Sequence, residues 1–143
     1  MHVSIKDLKL ENFPAKAYEK IRYADMDRQG HVNNALFSTF FETGRVEILR
    51  DKELESLRGQ SEFVIANIHL NFLGEIHYPG LIDIGTAILE IGRSSIKLIQ
   101  GIYQDNTLKA SAESVIVQVS PETRKSIPLS ESYKKAISAY QLK

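Results

Sequence analysis

Between Ala35 and about Arg50 the apolar residues recur every three to four positions. At 100° per residue, Leu36, Phe37, Phe40, Phe41, Gly44 and Ile48 fall within an arc of about 140°, and Ser38, Glu42 and Arg45 lie on the other side. The spacing predicts an amphipathic helix with three phenylalanines on its core face. Glu42 and Arg45 are three apart and opposite in charge, a surface pair contributing about 0.2–0.5 kcal/mol if exposed. Asn33 or Asn34 supplies the side-chain acceptor a helix start needs. From Asp51 to Ser61 the composition turns charged and includes Gly59, which reads as a frayed helix end and a connecting loop. After that the period changes to two. Val64, Ala66, Ile68, Leu70 and Phe72 alternate with Ile65, Asn67, His69 and Asn71, the pattern of a long half-buried strand. Gly74 to Gly80 is turn chemistry, and Leu81 to Ile91 is extended again. A corner at Gly92 and Arg93 leads into Ser94 to Gln104, where Ile96, Leu98 and Ile102 share a face, and Asp105 with Asn106 closes the next turn. In Leu108 to Val119 the apolar phase switches, from Leu108, Ala110 and Ala112 to Val115, Val117 and Val119, predicting a bulge or sharp coiling. Upstream, Lys6 to Pro14 is a lead-in and Ala15 to Tyr23 a short strand carrying Ala17, Ile21 and Tyr23. Pro121 and Pro128 bracket a turn, and Ser130 to Tyr140 forms a terminal helix with Tyr133, Ile137 and Tyr140 in one stripe.

A strand, a long helix and then four consecutive strands on short turns require a largely antiparallel sheet, because parallel neighbours need crossovers of a dozen or more residues. The expected class is α+β, with the sheet curling round the phenylalanine face of the helix. Such a sheet leaves unpaired edges and an uncovered outer face, which favours self-association.

Composition narrows the partners. The 143 residues fit one domain, 1–143, in which folding buries roughly 68–70 % of the unfolded surface. Lys plus Arg and Asp plus Glu both number 18, for a formal net charge of zero and no long run of one sign, so nucleic acid is not an expected partner. Apolar runs fall far short of the roughly 18 residues a membrane span needs. The absence of Cys excludes disulfides, a thiolate nucleophile and sulfur-based zinc sites. Met1 to Leu10 alternates charged and apolar residues without the apolar core of a signal peptide, so a cytoplasmic location is expected.

Acids, amides, a glycine and a histidine crowd together from Arg22 to Asn34. Asp25, Asp27, Gln29 and Gly30 occupy the first, third, fifth and sixth positions of a calcium loop, but Leu36 stands where its bidentate glutamate belongs. A transition-metal site on Asp25, Asp27 and His31 lacks support, because His2, His69 and His77 show no ligand spacing with them. Neither a serine-hydrolase elbow nor a phosphate loop occurs. Carboxylate chemistry remains: Asp27 as general base on water or nucleophile on a carbonyl, the first N–H groups of the next helix as oxyanion donors, and His31 or Gln29 orienting substrate or water. Capping and loop geometry are the competing reading of the same residues.

The run from Tyr23 to Asn34, followed by a helix bearing Phe40, Phe41, Glu42 and Arg45, resembles the signature of the hotdog-fold thioesterases. It is similar in particular to the 4-hydroxybenzoyl-CoA thioesterase group and, through its Asp-x-Asp-x-x-x-His-Val-Asn-Asn pattern, to the acyl-ACP thioesterases of plants and bacteria. The Gly92 to Ser95 corner and the strand order agree. The resemblance implies a central helix wrapped by a five- or six-stranded antiparallel sheet, a homodimer whose sheets join or a tetramer of two such dimers, and active sites at the subunit interface. It implies hydrolysis of acyl-CoA or acyl-ACP, in fatty acid metabolism, with no metal or bound cofactor. Asp27 then matches the catalytic carboxylate, Asn34 the residue whose backbone N–H polarises the thioester carbonyl, and His31 the histidine of the acyl-ACP group. Gln29 sits where that group has Asn. Ser94 and Ser95 match turn residues that approach the pantetheine or the neighbouring subunit, and Asp25 pins the loop. Two alternatives share the fold: a protein that binds acyl thioesters without hydrolysing them, and a hydratase or dehydratase.

Overall fold

The phenylalanine face of the predicted helix is what the sheet closes on. In the computed structural model, which describes residues 4–142, that helix is α1, Leu36–Leu49. Five strands surround it: β1 Ala15–Lys20, β2 Glu62–Phe72, β3 Leu81–Ile91, β4 Ser95–Gln104 and β5 Thr107–Val119. They form one sheet in the order β1-β3-β4-β5-β2, antiparallel throughout. The α+β class is as expected, with five strands. Phe37, Phe40 and Phe41 are buried against Ile21, Ile76, Ile82, Ile84 and Ile102. A second cluster at the far end joins Ile48 to Ile88, Ile96, Leu98, Ile116 and Tyr133.

Arg45 departs from the periodicity. The apolar period puts it on the polar side with Glu42, yet it is only 6 % exposed, and among the described residues no carboxylate pairs with it. The buried arc of α1 therefore runs Phe37, Phe40, Phe41, Gly44, Arg45 and Ile48, wider on one flank than the apolar residues mark.

The expected loop after α1 contains a second helix, α2, Lys52–Arg58. Its seven residues include four charged ones, which hides the signal, but Asp51 caps it by accepting from the Leu54 N–H at 3.1 Å, and Leu54 is buried. Gly59, at φ 68, stops it. The terminal helix forms as expected: α3, Glu131–Ile137, is capped by Ser130 and buries Tyr133 and Ile137. Asp105 and Asn106, at φ 51 and 62, make the two-residue turn that joins β4 to β5.

Two bulges correct the strand reading. In β2 the register skips Ala66, so its inner face runs Phe63, Ile65 and then Ile68, Leu70, Phe72, instead of one even-numbered series. In β5 the skipped residue is Lys109, and the phase does not change after Ala112. Its inner face continues through Ser114, Ile116 and Gln118, all buried; two polar residues at core positions imitate a phase switch. Nor is β2 half-buried along its length: Ile65, Ile68 and Phe72 are 46, 38 and 51 % exposed. The helix packs on β1, β3 and β4 and leaves the β2 side open.

The outer face is not bare, as expected, but partly covered. The lead-in, with short 3₁₀ turns at Ile5–Asp7 and Leu10–Asn12, lays Phe13 against Gly85, where a Cβ would come within 2.4–2.9 Å of the Phe13 side chain. Tyr103 packs beside Phe13 and donates its hydroxyl to the Leu8 carbonyl at 2.8 Å; burial pushes its pKa up to about 12. Among the described residues no helix is long and apolar enough to cross a membrane.

Gly44 sets how close α1 lies to the sheet. A Cβ there would fall 2.6 Å from Ile84 Cγ2 and 2.7 Å from Gln100 Nε2 and Thr86 Oγ1. Gln100 and Thr86 are fully buried and mutually hydrogen-bonded, so neither can yield easily. Gly44→Ala sets an overpacking cost of about 1–3 kcal/mol against a propensity gain of about 0.8–1 kcal/mol. The variant should be net destabilised, read as a lower urea midpoint; a midpoint at or above the parent's would refute this packing.

Candidate active site

The loop between β1 and α1 holds its shape through backbone bonds and one buried acid. Ile21 N–H donates to the Gly80 carbonyl at 2.9 Å, Asn33 N–H to Asp25 and Val32 N–H to Ile76, both at 2.9 Å. Asp25, 3 % exposed, folds back on Arg22: its carboxylate accepts from the Arg22 backbone N–H at 2.8 Å and from the guanidinium at 2.8 and 3.1 Å. With both oxygens engaged and buried, Asp25 is a loop pin.

Asp27 is presented differently. Its N–H donates to the His31 carbonyl at 2.9 Å, and its carbonyl accepts from Gly30 at 3.2 Å, closing a tight turn in which Gly30 takes φ 89. Oδ1 accepts from the Gln29 N–H at 2.9 Å, and the His31 N–H is 3.5 Å away. Oδ2 is 3.7 Å from His31 Nδ1, ion-pair separation rather than a direct hydrogen bond. The carboxylate is 27 % exposed, so one oxygen is fixed by the backbone while the group stays open to a ligand. Gln29 takes part through its N–H; the residue itself is exposed.

Glu75, which residue spacing does not single out, and His77, which shows no ligand spacing with the loop, join the cluster. His31 Nε2 lies 3.7 Å from Glu75 Oε1, and Glu75 Oε2 lies 3.7 Å from His77 Nε2. The Val32–Ile76 backbone bond brings this turn to the loop. No local signal reveals it, since Glu75 falls in turn chemistry 44 residues beyond His31. Among the described residues no group of three or more His, Asp or Glu side chains is placed to hold a metal ion, and His2 lies outside the described residues.

At the helix start, Asn33 supplies the side-chain acceptor, its Oδ1 taking the Ala35 N–H at 3.0 Å. The carbonyls of Asn33 and Asn34 accept from Leu36 and Phe37 at 3.0 and 3.2 Å. The N–H of Asn34 has no acceptor among the described residues. A free donor there, at the positive end of a fourteen-residue helix, can stabilise a developing oxyanion. Ser94 and Ser95 are not brought to this place. They sit at the β3–β4 corner, bonded through their carbonyls to Gln118 and Gly92, with the length of β4, about 30 Å, between them and the Asp27 end of the sheet. The two large grooves are also elsewhere: one of about 580 Å³ is lined by Lys6, Lys9, Lys16 and Tyr103, another of about 660 Å³ by Tyr18, Lys20 and Leu81.

The sequence model of the thioesterase-like superfamily matches residues 21–137, which takes in the Asp27 loop, α1 and all of β2 to β5. The chain belongs to the thioesterase-like superfamily. Solved structures agree with a hotdog fold. A thioesterase of Thermus thermophilus, in complex with coenzyme A and zinc, superposes with a TM-score of 0.80 at 26 % identity over 92 % of this chain and 97 % of that one. A probable thioesterase of Bartonella henselae gives 0.72 at 26 %, covering 80 and 98 %. A predicted thioesterase of Bacillus stearothermophilus gives 0.81 at 23 %, covering 90 and 97 %. No curated protein sequence matches the chain significantly.

In this thioesterase-like chain the Asp25 pin is separable from the Asp27 chemistry. Asp25→Ala removes three donors' acceptor, but Arg22 is 74 % exposed, so the loss is discounted for solvent to about 1–2 kcal/mol. Urea unfolding should show that loss, and an unchanged midpoint would mean that the loop holds without its pin.

Proposed function

We propose that this protein hydrolyses acyl thioesters carried by CoA or acyl carrier protein, in fatty acid metabolism. The observation that carries the reading is the pairing of a turn-fixed, open carboxylate at Asp27 with the unengaged Asn34 N–H at the start of α1. Membership of the superfamily supports it, as does the coenzyme A bound by the Thermus relative.

With the thioester carbonyl oxygen on the Asn34 N–H, Asp27 takes a proton from water as the hydroxide adds to the carbonyl carbon. The C–S bond then breaks, and the thiolate takes up the proton. Alternatively Asp27 adds directly to the carbonyl carbon, the C–S bond breaks to leave a mixed anhydride, and water cleaves that anhydride, restoring the Asp27 carboxylate and supplying the thiolate's proton. His31, flanked by the Asp27 and Glu75 carboxylates, orients water or substrate, and Glu75 joins the roster as the group that holds His31 from the other side. Gln29 fixes Asp27 through its backbone. His77 continues the alternation of acid and imidazole outward.

Thiol release from a panel of acyl-CoA and acyl-ACP thioesters tests this. Asp27→Asn keeps an oxygen for the Gln29 N–H, so the loop should stand while turnover falls on the order of 10²-fold or more. Turnover within a few fold of the parent would sink the assignment.

The working form we propose is a homodimer joined through β2, an edge strand whose inner face exposes Ile65, Ile68 and Phe72. A second chain could bring its Ser94 and Ser95 toward the Asp27 loop, a distance one chain cannot close. Two such dimers pairing to a tetramer is the further form. Light scattering should give a mass of two chains or four, and Ile68→Lys should shift it toward one chain with loss of turnover. A fully active parent monomer would end the dimer reading.

A further inference from the structure

Arg45 is a buried cation in a helix face otherwise given to phenylalanine and isoleucine. Its Nη1 has no hydrogen-bond partner among the described residues. The charge acting on it is Glu42, exposed on the same helix and not paired with it, and burial holds the guanidinium below its usual pKa. An apolar residue of similar volume would fill the same space without the cost of desolvating a charge.

Its place in the fold suggests what it meets. Thr43 lies on the flank of α1 toward β1, where its hydroxyl donates to Glu19 at 3.0 Å. Arg45 is two residues on, about 200° round the helix, and so on the flank toward β5 and β2. That flank overlooks the open part of the inner face, where Ile65, Ile68 and Phe72 remain exposed. Two further orphans stand on the same floor: Gln100 Oε1 on β4 and Ser114 Oγ on β5. Gln100 faces Ala112 and Leu98 faces Ser114, so the two are diagonal neighbours on one side of the sheet. At the catalytic end of this face the buried Phe37 ring meets the half-exposed Phe72 with centroids 5.2 Å apart, one turn beyond Asn34. Eleven residues of helix separate Asn34 from Arg45, about 16 Å.

We propose that Arg45 is a specificity residue that receives the far end of the acyl chain, and that the preferred substrates are medium-chain acyl thioesters bearing a terminal carboxylate. The proposal rests on the thioesterase reading above and names its substrate class. The thioester lies at Asn34, the methylenes run along Phe72, Ile68 and Ile65, and the carboxylate accepts from the guanidinium and from the Ser114 hydroxyl, while Gln100, whose free atom is an acceptor, takes no part. A plain saturated chain would leave the cation buried and unanswered, which is the source of discrimination.

The experiment compares kcat/KM for matched medium-chain acyl-CoA and ω-carboxyacyl-CoA in the parent, Arg45→Met and Arg45→Lys, with light scattering and melting curves on each. The parent should favour the carboxylated member about tenfold or more. Arg45→Met should bring the ratio to about one, with Arg45→Lys between. No preference in the parent, an equal loss on both substrates in Arg45→Met, or dissociation of the assembly in that variant would overturn the proposal, the last by assigning Arg45 to a subunit contact. Should Arg45→Met not fold, the parent decides: a free medium-chain dicarboxylic acid must raise its melting temperature more than the monocarboxylic acid of equal length, and no difference overturns the proposal. A parent that releases thiol from both thioesters without preference leaves the thioesterase reading intact and removes this one. A parent that releases none from any thioester removes both.

Discussion

The close approach of α1 to the middle of the sheet is the constraint on which the rest of the molecule depends. At Gly44 the helix backbone comes within reach of Ile84, Thr86 and Gln100, and Gln100 donates to the Phe41 carbonyl at 2.9 Å. This contact sets the spacing at which Phe37, Phe40 and Phe41 fill the space between helix and strands. It also fixes the position of the helix start that carries Asn34. A helix held farther off by a side chain would lose both its packing and the depth of its N-terminus. Most polar atoms at the contact are paired, with Gln100 Nε2 donating to both the Phe41 carbonyl and Thr86 Oγ1, and Gln100 Oε1 is the one left without a partner among the described residues.

The loop that carries the chemistry divides its two acids by burial. Asp25 spends both oxygens on Arg22 inside the fold, whereas Asp27 spends one on the backbone and leaves the other beside His31. Residue type and spacing treat the two alike. What separates them is that the turn at Gly30 returns the chain to pair Met26 with Val32, so one acid points inward and the other outward.

Much of the architecture could be read from the chain. The period of α1, the corner at Gly92, the Asp105–Asn106 turn and the terminal helix after Ser130 are local patterns with local causes, and each is found where expected. The misreadings have one physical origin, positions where residue polarity and burial part company. Arg45, Ser114 and Gln118 are polar and inside, so the helix face appeared narrower and β5 appeared to change phase. In β2 the apolar residues of both phases stand at the open edge, and the skip at Ala66 has no signature in composition. The site was legible as far as one loop could carry it. Glu75 and His77 enter through a backbone bond between segments far apart in sequence, and Ser94 with Ser95 stay at the opposite end of the sheet, a separation that residue spacing does not encode.

The hydrogen bond from the Val32 amide to the Ile76 carbonyl splices the segment bearing Asp27 to the segment bearing Glu75. His31 precedes one end of that bond and Glu75 precedes the other, so the imidazole and its outer acid ride on a shared hinge pin. Any motion that draws the loop before α1 away from the connection between β2 and β3 would separate them together with the bond. The solvent exchange of a single amide proton at Val32 thus registers whether the charged cluster is assembled or apart.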